Sequence, residues 1–163
     1  MKAAKISFLA KYAHKVVFLL SLFTFANVSV AQDVQFSWEQ IVIETGKGER
    51  IYDVEMATSY AQRQRGLMYR EHLEQNKGML FDYGEPYIAS MWMKNTLIPL
   101  DMLFVSENGV IAHIHHRAKP HDLTPISADK PVRAVIELKG GIAKMHFIKP
   151  GDKVIHPIFA NQP

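Results

Sequence analysis

Leu100-Asp101-Met102-Leu103-Phe104-Val105, then Ser106-Glu107-Asn108-Gly109, then Val110-Ile111-Ala112-His113-Ile114-His115-His116, is the stretch whose reading decides the fold. An apolar run meets an Asn-Gly pair, and only a few residue types accept the positive φ that a tight hairpin turn demands. The return arm alternates: Val110, Ala112 and Ile114 share one face, and Ile111, His113 and His115 the other. The spacing predicts two antiparallel strands and a reversal at Asn108-Gly109.

Working outward, Ile41-Val42-Ile43 and Ile51 to Met56 flank Gly46-Lys47-Gly48-Glu49, a second hairpin signal. Ser59 with Gln62 three residues later forms a capping box, which predicts one short helix ending near Met68. Gly66 weakens the last turn of that helix and marks close packing. Further strands are expected at Met79-Leu80-Phe81, Ile88 to Lys94, Val132 to Leu138 and Val154 to Ile158, with a glycine-led turn or short helix from Gly140 to His146. Between Arg117 and Pro131, three prolines and many polar residues predict a long loop. Short strands with frequent turn punctuation predict a mainly β chain, an antiparallel β-sandwich or open barrel with one or two short helices.

Lys2, Lys5, Lys11 and Lys15 precede an apolar run from Val16 to Ala26 and the small residues Ser29 and Ala31. That order predicts a cleavable signal peptide over residues 1–31, leaving 32–163 as a single β-rich domain in the periplasm or secreted. The membrane is then met only through the signal before cleavage. Four of the 19 Lys and Arg residues lie in the leader and none of the 16 Asp and Glu do, so residues 32–163 carry 15 − 16 = −1. A basic footprint for nucleic acid is missing from that balance. With no cysteine in the chain, disulfides, thiolate metal sites and a cysteine nucleophile are excluded.

Several separated strings point to a family. Arg65-Gly66-Leu67-Met68-Tyr69-Arg70, Gly78-Met79-Leu80-Phe81, Met91-Trp92-Met93-Lys94-Asn95-Thr96, Ile98-Pro99-Leu100-Asp101, and Val135-Ile136-Glu137-Leu138 with Gly141 together resemble domain of unknown function 192. The resemblance runs from about Ile51 to Val154. It implies a compact β-sandwich-like domain, often secreted, and it implies no reaction. The His-rich return strand and the 117–131 loop depart from the family pattern.

Asp101 and Glu137 each interrupt an apolar strand, and a buried carboxylate must be paired, hydrogen-bonded or neutralised. A cation or several donors must therefore hold Asp101 near the turn before it, with Lys94 and Arg65 the cations at hand. As a pair the two carboxylates would serve acid/base hydrolysis. Arg65, Trp92, Lys94, Asn95, Thr96 and Asp101 form the candidate ligand-binding set. Trp92 is either core or presented beside Lys94, according to which face of the string is buried. Met68, Met79, Met91, Met93 and Met102 offer thioethers that suit Cu(I) or fill a core. His113 and His115 point one way along a strand, and His121 or Asp122 would complete a metal shell; the spacing matches no defined metal site. Ser127 offers a hydroxyl with no base.

These readings predict an exported binding or accessory domain, not an enzyme, with a polar site near residues 92–101 and no cofactor. Its partner would be a small molecule, a glycan or an envelope protein. A periplasmic hydrolase using Asp101 and Glu137 is the alternative, and a His/Met metal handler the second.

Overall fold

The computed structural model describes residues 34–159 and 161, so the expected signal peptide lies outside the described residues. Nine strands and two short helices follow in order: β1 Ser37–Thr45, β2 Gly48–Ala57, α1 Tyr60–Arg65, β3 Lys77–Tyr87, β4 Ser90–Met91, β5 Leu100–Val105, β6 Ile111–Ala118, β7 Ile126–Ser127, β8 Val132–Lys139, α2 Ile142–Met145 and β9 Lys153–Ile155. A 3-10 turn at Pro157–Phe159 follows β9. Seven strands make one sheet in the order β6-β5-β8-β3-β2-β1-β9, and β4 pairs with β7 in a small second sheet.

The sheet curls until its outer strands meet. Val110 bridges Lys153, the Ile111 N–H donates to the Asp152 carbonyl (2.9 Å), and the Val154 N–H donates to the Gly109 carbonyl (2.8 Å). This is the open-barrel form of the expected architecture. Its inner face collects Ile41, Tyr52, Val54, Leu103, Ile136 and Val154 from five strands, and α2 closes it with Ile142 and Ala143. Burying an aliphatic or aromatic side chain of this kind stabilises by about 1.5–3 kcal/mol.

Alternation along the strands sends the intervening residues outward, and there a second apolar layer forms. Met79 and Phe81 of β3, Met102 and Phe104 of β5 and Val135 of β8 pack under Leu67, Leu73, Ala89 and Met93. The chain thus has two cores on the two faces of one sheet.

The Leu100–Val105 strand and the Asn108-Gly109 reversal are found as expected, with Gly109 at φ 82°. The capping box is also present: Ser59 Oγ accepts from the Gln62 N–H and Gln62 Oε1 accepts from the Ser59 N–H. Three elements differ. The expected strand from Ile88 to Lys94 shrinks to Ser90–Met91, because the Met93 N–H turns aside to the Asp122 carbonyl (2.9 Å). The last strand stops at Ile155, since Pro157 cannot donate to a ladder and begins the 3-10 turn. One pair, β2 with β3, is parallel, and α1 lies in the crossover between them.

Candidate functional site

Position by position, β5 pairs Asp101 with Leu138 and Met102 with Glu137. Cross-strand partners share a face, so Asp101 points into the barrel with Leu138, and Glu137 points outward with Met102. The two carboxylates therefore do not meet, and the acid/base pair expected of them is corrected: an odd offset in register puts a whole sheet between them.

Asp101 is fully buried and held by main chain. Its Oδ1 accepts from the Arg117 N–H (2.8 Å), and its Oδ2 accepts from the Gly141 and Ala143 N–H groups (2.9 and 2.8 Å). His116 Nδ1 stands 4.0 Å away. Neither Lys94 nor Arg65 serves as its cation. Gly141 caps α2 at φ 99° with no side-chain cap of its own, so Asp101 satisfies the free donors of that helix from across the sheet.

Glu137 is the opposite case. It is 4% exposed, and no hydrogen bond or ion pair reaches its carboxyl among the described residues. Burial alone pushes that carboxyl from its ordinary 4.5 up to about 8. It is therefore a neutral acid at pH 7, with one O–H to donate and a carbonyl oxygen to accept. Glu55 makes the contrast. It stands on the far side of Met79 in the same cross-sheet row, and Arg70 meets its Oε2 at 2.6 Å. One buried carboxylate in the row has a cation and the other has none.

The Glu137 carboxyl lies at the bottom of a cleft of about 590 Å³. One wall is α1 and the turn after it, positioned by the Ser59 cap at one end. At the other end Gly66 lies where a Cβ would come within 3.3 Å of the Phe81 ring. The second wall is the far half of β3, where a register shift between Asp82 and Tyr87 bends the strand and turns Tyr83, Glu85 and Tyr87 to the cleft. Met91, Trp92, Thr96 and Pro125 complete it. The deep lining is Leu67, Phe81 and Thr96, all buried; Tyr60, Tyr87 and Trp92 at the mouth are about half exposed or more.

Hydrogen bonding grades the cleft as well. The Tyr83 hydroxyl donates to Met91 Sδ (3.3 Å), and burial first, then the nearby Glu137, pushes its phenol up to about 12. Arg63 is anchored through Nη1, which donates to the Thr58 and Asp82 carbonyls (2.5 and 2.9 Å), and its guanidinium lies 5.7 Å from the Tyr83 ring centre. The Arg65 side chain stacks over Tyr69 at 4.9 Å and makes no hydrogen bond or ion pair among the described residues.

Of the expected binding set, Arg65, Trp92 and Thr96 line this cleft. Trp92 is 47% exposed with the Lys94 ammonium 5.3 Å over its ring, while Met93 is buried. The open choice at Trp92 thus falls on the presented side. Asn95 is a turn residue at φ 55°; its Nδ2 donates to the Tyr69 hydroxyl (2.8 Å), and its carbonyl accepts from the Tyr69 N–H (2.8 Å). Tyr60, Arg63, Tyr83, Glu85 and Tyr87 escaped the sequence reading. The one signal for the β3 group is the aromatic, acidic and glycine alternation from Tyr83 to Tyr87.

His113 and His115 do share the outer face, opposite Phe104 and Met102. The His113 ring packs 5.8 Å from that of Phe104, and His115 lines a smaller hollow of about 220 Å³ with Lys119, Asp122 and Thr124. Burial, then His113 and His116, holds the His115 imidazole below its usual value. His121 is exposed at φ 62°. Among the described residues no three His, Asp or Glu side chains converge as a metal shell. Met79, Met93 and Met102 are core, and only Met68 and Met91 reach the cleft.

A family profile described as uncharacterised ACR, domain of unknown function 192, matches residues 41–156. The chain belongs to this family. A crystal structure from Sinorhizobium meliloti, provisionally assigned as a transcription regulator, is 40% identical with a TM-score of 0.75, covering 77% of this chain and 98% of that one. A protein of unknown function from Novosphingobium aromaticivorans is 36% identical with a TM-score of 0.71, covering 78% of this chain and 89% of that one. No functionally curated protein matches the chain.

Proposed function

We propose that this member of the family is an exported binding domain whose cleft takes a small hydroxyl-bearing ligand of the glycan type. One observation carries the reading: the buried Glu137 carboxyl has no partner among the described residues and lines a cleft of about 590 Å³. A ligand hydroxyl in the cleft can accept from the acid and donate to its carbonyl, which supplies the hydrogen bonds that the described residues do not. Trp92, Tyr60 and Tyr87 present flat apolar faces with polar edges at the mouth, suited to a sugar ring. The volume lies in the range of small-molecule sites.

A hydrolase acting through Asp101 and Glu137 is disfavoured by their placement on opposite faces. Glu85, the other carboxylate of the lining, belongs to the bend beside Val132 to Ala134, three to five residues along β8 from Glu137. At strand rise that sets their backbones roughly 10–17 Å apart. The regulator assignment belongs to the S. meliloti protein; the helices described here have six and four residues, and the net charge of residues 32–163 is −1.

Thermal shift of the protein against a panel of mono- and oligosaccharides tests the binding reading, because a ligand specific for the native state raises stability by about 2.7 kcal/mol at 100 times its Kd. A rise that Glu137→Leu abolishes is expected; a rise of equal size in that variant refutes the role of Glu137. The export half rests on residues 1–31, and mass spectrometry of exported material is expected to find Gln32 as the first residue.

A further inference from the structure

Resting on that reading of the cleft, we propose that its ligand is an acidic sugar unit, with a ring hydroxyl on Glu137, the ring against Trp92 and a carboxylate on Arg65. The two arginines of the cleft differ in what they already hold. Arg63 is half-buried, with Nη1 donating to the Thr58 and Asp82 carbonyls and the guanidinium lying on the Tyr83 face, which fixes it in the wall of the cleft. Asp82 beneath it is answered by Arg133 at 2.8 and 3.1 Å. Arg65 is different. It lines the same cleft and is exposed; among the described residues its guanidinium meets the ring of Tyr69 alone, which orders the side chain and leaves the N–H groups free.

A planar guanidinium with an open fork matches a carboxylate in a two-bond geometry that a hydroxyl cannot reproduce. The electrostatics of the lining agree. Arg63 and Arg65 face one exposed carboxylate, Glu85, while the acid at the bottom carries no charge at pH 7. Lys94, stacked on Trp92, adds a third positive charge at the rim. A ligand entering there meets cations before it meets the uncharged interior. The acid at the bottom and the exposed guanidinium at the mouth thus call for a ligand with neutral hydroxyls at one end and an anion at the other.

D-glucuronate and D-glucose differ at that one position and serve as probes. Titration of the protein with each, followed by saturation-transfer NMR and tryptophan fluorescence, is expected to give about tenfold tighter binding of glucuronate, the size of one charge-assisted hydrogen-bonded pair. Arg65→Gln is expected to bring the two sugars to equal affinity. Sodium acetate at matched ionic strength reports attraction of an anion alone; acetate as tight as glucuronate would show that the ring plays no part and overturn the assignment. Equal affinities in the wild-type chain, or a preference that survives Arg65→Gln, overturn the acidic-ligand assignment and leave the binding reading intact. No response to either sugar overturns this assignment too, whereas the binding reading then stands or falls on the saccharide panel and Glu137→Leu.

Discussion

Replacing Glu137 with Gln keeps its shape and removes its proton, so the stability of that variant against pH measures what burial does to the acid. In the folded chain the carboxyl stays protonated to about pH 8, whereas its ordinary value is 4.5. Between those values the unfolded chain has lost the proton and the folded chain has kept it, so wild-type stability falls as pH rises through the window and levels off above it. Each unit of difference is worth about 1.4 kcal/mol, so the full window amounts to roughly 5 kcal/mol. Glu137→Gln lacks this slope. Urea unfolding of both proteins at steps from about pH 5 to about pH 8 is the assay, and subtraction cancels every other titrating group, Asp82 among them. The variant is expected to be close to wild type at the acid end and more stable by about 3–5 kcal/mol at the alkaline end. A difference that stays flat across the window refutes the reasoning, since it would mean that the carboxyl is already ionised and solvated inside the cleft.

Asp101→Asn replaces one oxygen of the three-donor clamp with a second donor, so at least one buried N–H among those of Arg117, Gly141 and Ala143 loses its acceptor. A loss of about 2–4 kcal/mol is expected, read as a lower urea midpoint with unchanged slope. Because Asn95 sits at φ 55°, Asn95→Ala is expected to be about 1 kcal/mol less stable than Asn95→Gly, with the same loss of the Tyr69 hydrogen bond in both. Gly78→Ala would set a Cβ 2.5 Å from the Glu137 carbonyl oxygen, so thermal unfolding is expected to show a loss of about 3 kcal/mol or more as β3 and β8 are forced apart.

The sequence by itself determined the features that are local. The Asn108-Gly109 reversal and the reciprocal Ser59 and Gln62 hydrogen bonds each involve residues a few positions apart, so backbone geometry and side-chain chemistry specify them without the rest of the chain. The same reading marked Asp101 and Glu137, since a carboxylate inside an apolar strand is conspicuous in one dimension. Their separation by a sheet is not. It depends on whether β5 and β8 pair with an even or odd offset, and that register is set by packing both faces at once. Tertiary structure also decided that main-chain donors, not Lys94 or Arg65, hold Asp101, because Gly141 and Ala143 come to it from 40 and 42 positions away. The cleft is likewise a product of assembly. Its walls come from α1, the bend in β3 and the segment around Trp92, which the strand order brings over Glu137, and only that convergence leaves one acid buried without a partner among the described residues.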